Sequence, residues 1–140
     1  MFTYICLGTN DLERSKRFYD AAMGALGLGR CNTGDTEWDV IAAGWGTYSN
    51  GGASELALWV NKPFNDQAAS VGNGTMIALG ATTWKQVDNF HAAAVGHGGT
   101  CEGPPGLRLQ YNPDFYAAYV RDPDGNKLAI VCRGFTAPQE

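Results

Sequence analysis

One stretch of this chain is written twice. Tyr4 to Gly27, moved forward by 72 positions, lands on Met76 to Gly99 without a gap. Ile5, Leu7, Gly8, Phe18, Ala21, Ala22, Gly24 and Gly27 then coincide with Ile77, Leu79, Gly80, Phe90, Ala93, Ala94, Gly96 and Gly99. Glycines and apolar positions are kept together, so the repeat carries turns as well as a buried stripe. Repeats of this period usually stack into solenoids of three or more units. Two copies in 140 residues instead predict a single domain made of two similar halves.

Each half opens on a strand and a helix. Residues 2–7 are apolar and β-prone, with alternating faces. Asn10 is placed to cap the next helix, and Glu13 three residues on completes a capping-box pattern. Leu12, Tyr19, Ala22, Met23 and Leu26 recur at helical spacing, while Glu13, Arg14, Lys16, Arg17 and Asp20 keep to the wet side. Gly24, Gly27 and Gly29 follow this helix. A phosphate-cradling loop has to precede one, so they are not such a loop. Trp38 to Ala43 and Glu55 to Val60 read as strands, with a reversal at Ser49-Asn50-Gly51-Gly52 between them.

The second half follows the same plan. Residues 75–80 form a strand, Thr83 and Gln86 a capping box, and Val87, Phe90, Ala94 and Val95 a helical stripe. Gly103-Pro104-Pro105-Gly106 reads as a loop. Residues 115–120 and 127–132 are strands on either side of the tight turn Asp122-Pro123-Asp124-Gly125-Asn126. Subtracting 72 from that turn gives residues 50–54, the turn of the first half. The duplication therefore covers a whole βαβββ unit. Module one spans about residues 1–62, a polar linker 63–73 and module two 74–133.

Composition narrows the function. With 44% hydrophobic and 17% charged residues the chain is globular, and a net charge of −4 argues against nucleic acid, which wants a basic face. There is no basic leader followed by an apolar run, and no apolar segment near the ~20 residues of a membrane span. A cytoplasmic location is expected. Cys6, Cys31, Cys101 and Cys132 form no C-x-x-C pair, and Cys6 and Cys132 lie in apolar strand patterns as small hydrophobes.

A doubled βαβββ unit, with N-D-L-E-R-S-K-R-F-Y opening its first helix and R-D-P-D-G-N-K-L before its last strand, resembles the glyoxalase, bleomycin-resistance and extradiol-dioxygenase (vicinal oxygen chelate) superfamily. The resemblance covers nearly the whole chain. It implies an α+β fold in which two tandem βαβββ modules form an incomplete barrel around a cavity, with the helices outside. Members include lyases, ring-cleaving dioxygenases, isomerases, epimerases, thiol transferases and drug-sequestering proteins. Most hold a divalent metal in the cavity on His, Glu or Gln.

The resemblance also locates those ligand positions. They fall on Tyr4, Ala57, Met76 and Ala129. None offers the imidazole or carboxylate that zinc, iron or manganese favours, and alanine cannot ligate at all. No metal and no cofactor are expected. His91 and His97, six residues apart on a helix, point about 120° away from each other at 3.6 residues per turn. They are read as surface or cap residues.

Strand alternation assigns the faces. Tyr4, Cys6 and Gly8 share the inner face with Glu55, Ala57 and Trp59, with Met76 and Ala78, and with Lys127, Ala129 and Val131. Ile5, Leu7, Leu56, Leu58, Ile77, Leu79, Leu128 and Ile130 should pack beneath the helices. Arg108, Tyr111, Tyr116 and Tyr119 form a second constellation. It would hold an anionic or aromatic molecule, or else Arg108 meets Asp114 or Asp122 on the surface. Trp38, Trp45 and Trp84 read as core or dimer-contact residues, and Tyr4 with Met76 as pocket lining or as a plug. The expected ligand-binding set is thus Tyr4, Cys6, Glu55, Trp59, Met76, Arg108, Tyr111, Tyr116 and Tyr119. The first expectation is a metal-free binder of a small organic molecule, pairing as a homodimer. The alternative is a lyase or dioxygenase-type enzyme working metal-free or with non-standard ligands, Tyr4, Cys6 or Glu55 supplying the acid–base chemistry. A third is a degenerate domain kept as a dimeric scaffold.

Overall fold

A computed structural model describes residues 1–136. Strand β1 (Tyr4–Gly8) leads into helix α1 (Leu12–Gly24), a single helical turn α2 (Thr36–Asp39), then strands β2 (Ala42–Ser49) and β3 (Ser54–Asn61). The second half runs β4 (Ile77–Gly80), α3 (Trp84–Gly96), β5 (Thr100–Leu107), β6 (Tyr116–Arg121) and β7 (Lys127–Cys132). Two sheets result, ordered β1-β3-β2 and β4-β7-β6-β5. Among the described residues no strand of one sheet pairs with a strand of the other. Helices α1 and α3 pack on each other, and each covers the aliphatic face of its own sheet. No barrel closes within one chain.

The core follows the helical stripes. Phe18, Tyr19 and Ala22 of α1 and Val87, Phe90 and Ala94 of α3 are fully buried against Trp45, Leu58, Val60, Ala118, Val120, Leu128 and Ile130. Each large side chain so buried contributes about 1.5–3 kcal/mol. Leu56 departs from the expected packing. It lies near the open end of β3 and is 65% exposed.

Four local readings are corrected. The cap of α1 is Asp11, whose carboxylate accepts from Arg14 N at 3.0 Å; Asn10 instead exchanges two hydrogen bonds with the backbone of Ala69. Glu13 pairs with Lys16, not with the cap. Trp38 and Asp39 belong to α2 because Asp35 accepts from two backbone N–H groups there and starts a helical turn. The β2 strand begins only at Ala42, so module one has three strands, with a single bridge between Arg30 and Trp45 where a fourth would lie. Gly103 to Gly106 is not a loop. It is an irregular part of β5, edge-paired to β6 with two register shifts, which is where prolines are tolerated in a sheet.

The repeat itself slips by two residues. Tyr4 stands opposite Ala57 in module one, whereas Ala78 stands opposite Ala129 in module two. Likewise Thr9 N donates to Asn61 O at 3.1 Å and Ala81 N to Val131 O at 2.8 Å. The first strands and helices are thus offset by 72 positions, but the last strands by only 70. The counterpart of Ala129 is therefore Trp59, and that of Ala57 is Lys127. An even slip leaves every side chain on its own face, which is why the face assignment survives.

The turn Asp122–Asn126 fastens the modules together. Asp124 accepts from Thr9 Oγ1 at 2.6 Å, Ser15 Oγ at 3.2 Å, and Asn10 N and Arg14 NH2 at 2.9 Å each. Asp122 accepts from the buried Tyr19 hydroxyl at 2.6 Å, and Asn126 donates to Gly8 O at 3.1 Å. Burial, with the Asp122 charge and hydrogen bond adding to it, holds the Tyr19 phenol well above its usual range, so it stays a donor.

Candidate functional site

The inner faces form two separate open cups, one per sheet. In the first, the register places Cys6, Trp59 and Gly44 in one row and Tyr4, Ala57 and Gly46 in the next. Trp59 lies over the bare backbone of Gly44 and donates from Nε1 to Glu55 Oε1 at 2.8 Å. Trp38 and Tyr48 meet the Trp59 ring edge-on at 6.2 and 5.7 Å between centroids. With Thr33 and Asp35 these residues bound a cavity of about 460 Å³. Tyr4, 55% exposed, stands at its rim.

The thiols here are quiet. Burial pushes Cys6 and Cys31 up from the ordinary thiol range, and the charge of Glu55 pushes them further in the same direction. A thiolate is the nucleophile, so neither is activated at neutral pH. Cys6 is exposed on the inner face to which alternation assigns it, and Cys132 is buried.

In the second cup Tyr119 stands over Gly103, where a Cβ would sit 3.0 Å from the ring. Arg108 donates to Gly106 O at 2.8 Å and Pro104 O at 2.6 Å, and its guanidinium lies 5.5 Å from the Tyr119 centroid. Lys127 Nζ approaches the same ring to 5.7 Å. Arg108 meets neither Asp114 nor Asp122. Tyr111 and Phe115 pack together at 5.2 Å, Arg133 lies over Phe115, and Met76 completes the wall of a cavity of about 640 Å³. At its edge Arg121 pairs with Glu102 at 2.7 Å, and that hydrogen bond and charge hold the carboxyl below its usual range. Burial, then the neighbouring Tyr111, raises the Tyr119 phenol above its ordinary value, with Arg108 opposing.

The expected residues thus divide. Tyr4, Cys6, Glu55 and Trp59 meet in the first cup, and Met76, Arg108, Tyr111 and Tyr119 in the second. Tyr116 lies in neither. Alternation turns it to the helix side, where it stacks on Trp84 at 4.2 Å and donates to Asp88 at 2.6 Å. Ala129 is buried beneath the second cup with Ala117 and Val131. Sequence reasoning placed Lys127 on the inner face without giving it a role. It missed Thr33, Asp35, Trp38, Tyr48, Phe115 and Arg133, most of which come from irregular segments that carry no periodic signal. His91 and His97 are peripheral, as read: His91 Nε2 lies 3.1 Å from Cys101 Sγ, and His97 caps α3.

Comparison with known proteins settles the family. The sequence model of the Glyoxalase/Bleomycin resistance protein/Dioxygenase superfamily matches residues 2–130. This chain belongs to that superfamily. A glyoxalase/bleomycin resistance protein from Albidiferax ferrireducens is 40% identical over 95% of this chain and 98% of its own, with a TM-score of 0.76. A glyoxalase-related enzyme from Fulvimarina pelagi, 21% identical over 95% of this chain and 88% of its own, shares the fold at a TM-score of 0.69. A glyoxalase I variant from Zea mays is 26% identical over 92% of this chain but only 45% of its own, at a TM-score of 0.60. No curated protein matches the sequence.

The donor chemistry does not fit the divalent metal that the superfamily commonly uses. Tyr4, Met76 and Ala129 are three of the positions at which the resemblance puts the family's metal ligands. The fourth is Ala57 by the sequence shift or Trp59 by sheet register. Among the described residues, no three His, Cys, Asp or Glu side chains gather as a metal site needs.

Proposed function

We propose that this superfamily member binds a small organic molecule in its aromatic cups without a metal. One observation carries the reading: the strand positions that resemble the family's ligand sites hold a phenol, a thioether and side chains with no donor, while the space around them stays open and lined by Trp, Tyr and Phe. Pockets of about 300–1,000 Å³ with apolar walls and a few polar groups are typical of small-molecule sites. The raised thiols and the engagement of Glu55 with the Trp59 indole favour binding over turnover.

A homodimer is part of the same proposal. Each cup is a half-site, and Phe2, Tyr4 and Leu56, 55–66% exposed, crowd around the free edge strand β1. A second copy laid across that edge would shield them and close a cup between chains. A cytoplasmic location belongs to this reading too; for its part, no described helix is long and apolar enough to cross a membrane.

The test joins metal analysis to turnover. Protein purified without added metal is expected to carry substoichiometric zinc, iron, nickel and manganese. Adding each ion should not yield turnover of the methylglyoxal–glutathione hemithioacetal or of catechol. Stoichiometric metal seated in a cup, or metal-dependent turnover, overturns the reading. Light scattering should give twice the chain mass.

A further inference from the structure

We infer that the second cup takes an organic anion with a flat unsaturated body, its anionic group held between Arg108 and Lys127. This rests on the proposal that the cup is a small-molecule site, and it names the ligand class. The chain as a whole carries a net charge of −4, yet in and around this cup the described residues set Arg108, Arg121, Lys127 and Arg133 against the carboxylates of Glu102 and Asp114. Both carboxylates are already engaged, Glu102 by Arg121 at 2.7 Å and Asp114 by Arg133 at 3.7 Å. That leaves Arg108, and Lys127, whose charge reaches Glu102 without an ion-pair contact. Among the described residues neither forms an ion pair with a carboxylate.

Their placement points the same way. Both cations sit over one ring, 5.5 and 5.7 Å from the Tyr119 centroid. Covering a half-buried tyrosine needs one cation, and a second of like charge adds repulsion. An anion between them removes that repulsion and replaces it with charge-assisted hydrogen bonds. Arg108 is also fixed in advance. The two carbonyls it binds, Pro104 O and Gly106 O, are neutral, so they orient the guanidinium without spending its charge. A side chain already held in its binding geometry loses less entropy when the ligand arrives. The walls supply the rest of the specificity: Tyr111, Phe115 and Tyr119 offer π-faces, and Met76 a soft polarizable side.

The probe pair is 1-naphthoate and its neutral counterpart 1-naphthalenemethanol, titrated by calorimetry into the full chain. Naphthoate is expected to bind at least tenfold more tightly at low salt, with the gap narrowing in high salt. Arg108→Met and Lys127→Met keep the apolar stems, and each should weaken naphthoate about tenfold and the alcohol by much less. Arg108→Lys should retain part of the preference, and thermal melting confirms that each variant folds. Equal binding of the two probes, or naphthoate affinity indifferent to both methionine variants, overturns the anion assignment while leaving the small-molecule reading intact. Binding of neither probe overturns both.

Discussion

The indole of Trp59 covers Gly44 so closely that a Cβ on Gly44 would stand 2.5 Å from its Cε3 atom. Module two inverts the sizes. Trp59 corresponds to Ala129, and the residue paired with Ala129 on the neighbouring strand is Tyr119, where Gly44 stands in module one. In each sheet one large aromatic lies against one small neighbour, but on opposite strands. The two cups therefore differ in shape even though the strands beneath them repeat.

Gly44→Ala should expel Trp59 from its seat. The clash is with a rigid ring, so the cost is that of overpacking, roughly 1–3 kcal/mol. Loss of the Glu55 hydrogen bond should accompany it. Denaturant unfolding gives the stability change, and the tryptophan emission should shift as Trp59 gains water.

Asp124→Ala should loosen the joint between the modules. The Asp124 side chain is 2% exposed and accepts from Thr9, Asn10, Ser15 and Arg14. Its removal leaves Ser15 with the Thr9 hydroxyl as its remaining partner and Arg14 unpaired, while Thr9 keeps its bonds to the Asp11 backbone. A loss of roughly 2–4 kcal/mol is expected, from unsatisfied donors at about 1–3 kcal/mol each less what Arg14, 40% exposed, recovers from water. Chemical denaturation of the variant checks the size. Hydrogen exchange at residues 9–15 should quicken.

This joint shows how far the sequence could be read. The D-P-D-G-N run was legible as a tight turn and as a mark of the family, because proline and glycine dictate backbone angles locally. Its bonding to Thr9 and Ser15, more than 100 residues away, leaves no local trace. The same divide runs through the cups. Strand residues Tyr4, Cys6, Glu55 and Trp59, and Met76 just ahead of β4, follow from alternation, whereas Asp35, Trp38, Phe115 and Arg133 arrive from irregular segments whose placement depends on the finished fold. The two-residue slip was hidden for another reason. The turns at residues 50–54 and 122–126 and the repeated helix suggested one offset, and only the pairing of β1 with β3 and of β4 with β7 reveals the second.

Acid should weaken the protein through His91. Burial pushes this imidazole below its ordinary range, with the Asp88 carboxylate pulling the other way. Its folded pKa thus lies below the unfolded value of about 6.5. As pH falls, the unfolded chain takes up the proton first. Stability from this residue is complete above about pH 6.5 and is lost as pH falls through the folded pKa. Urea midpoints measured at pH 7.5, 6.5 and 5.5 should decline in the parent protein and decline less in His91→Asn.

Tyr116→Phe separates what the sequence groups with the cup from what alternation and the fold place there. Residues 117 and 119 face the cavity, so Tyr116 faces α3, stacked on Trp84 and bonded to Asp88. The variant keeps the ring and its stacking but loses the hydrogen bond. A net cost of about 0.5–1.5 kcal/mol follows, since the bond is near the surface. Naphthoate affinity should not change. Tyr119→Ala, on the inner face, should show the reverse emphasis: it removes the ring beneath both Arg108 and Lys127, so binding should fall by tenfold or more while the helix contacts stay as they are. Calorimetric titration of the two variants side by side checks both. If Tyr116→Phe were the one to lose binding, the inner face would be misassigned, and with it the second cup.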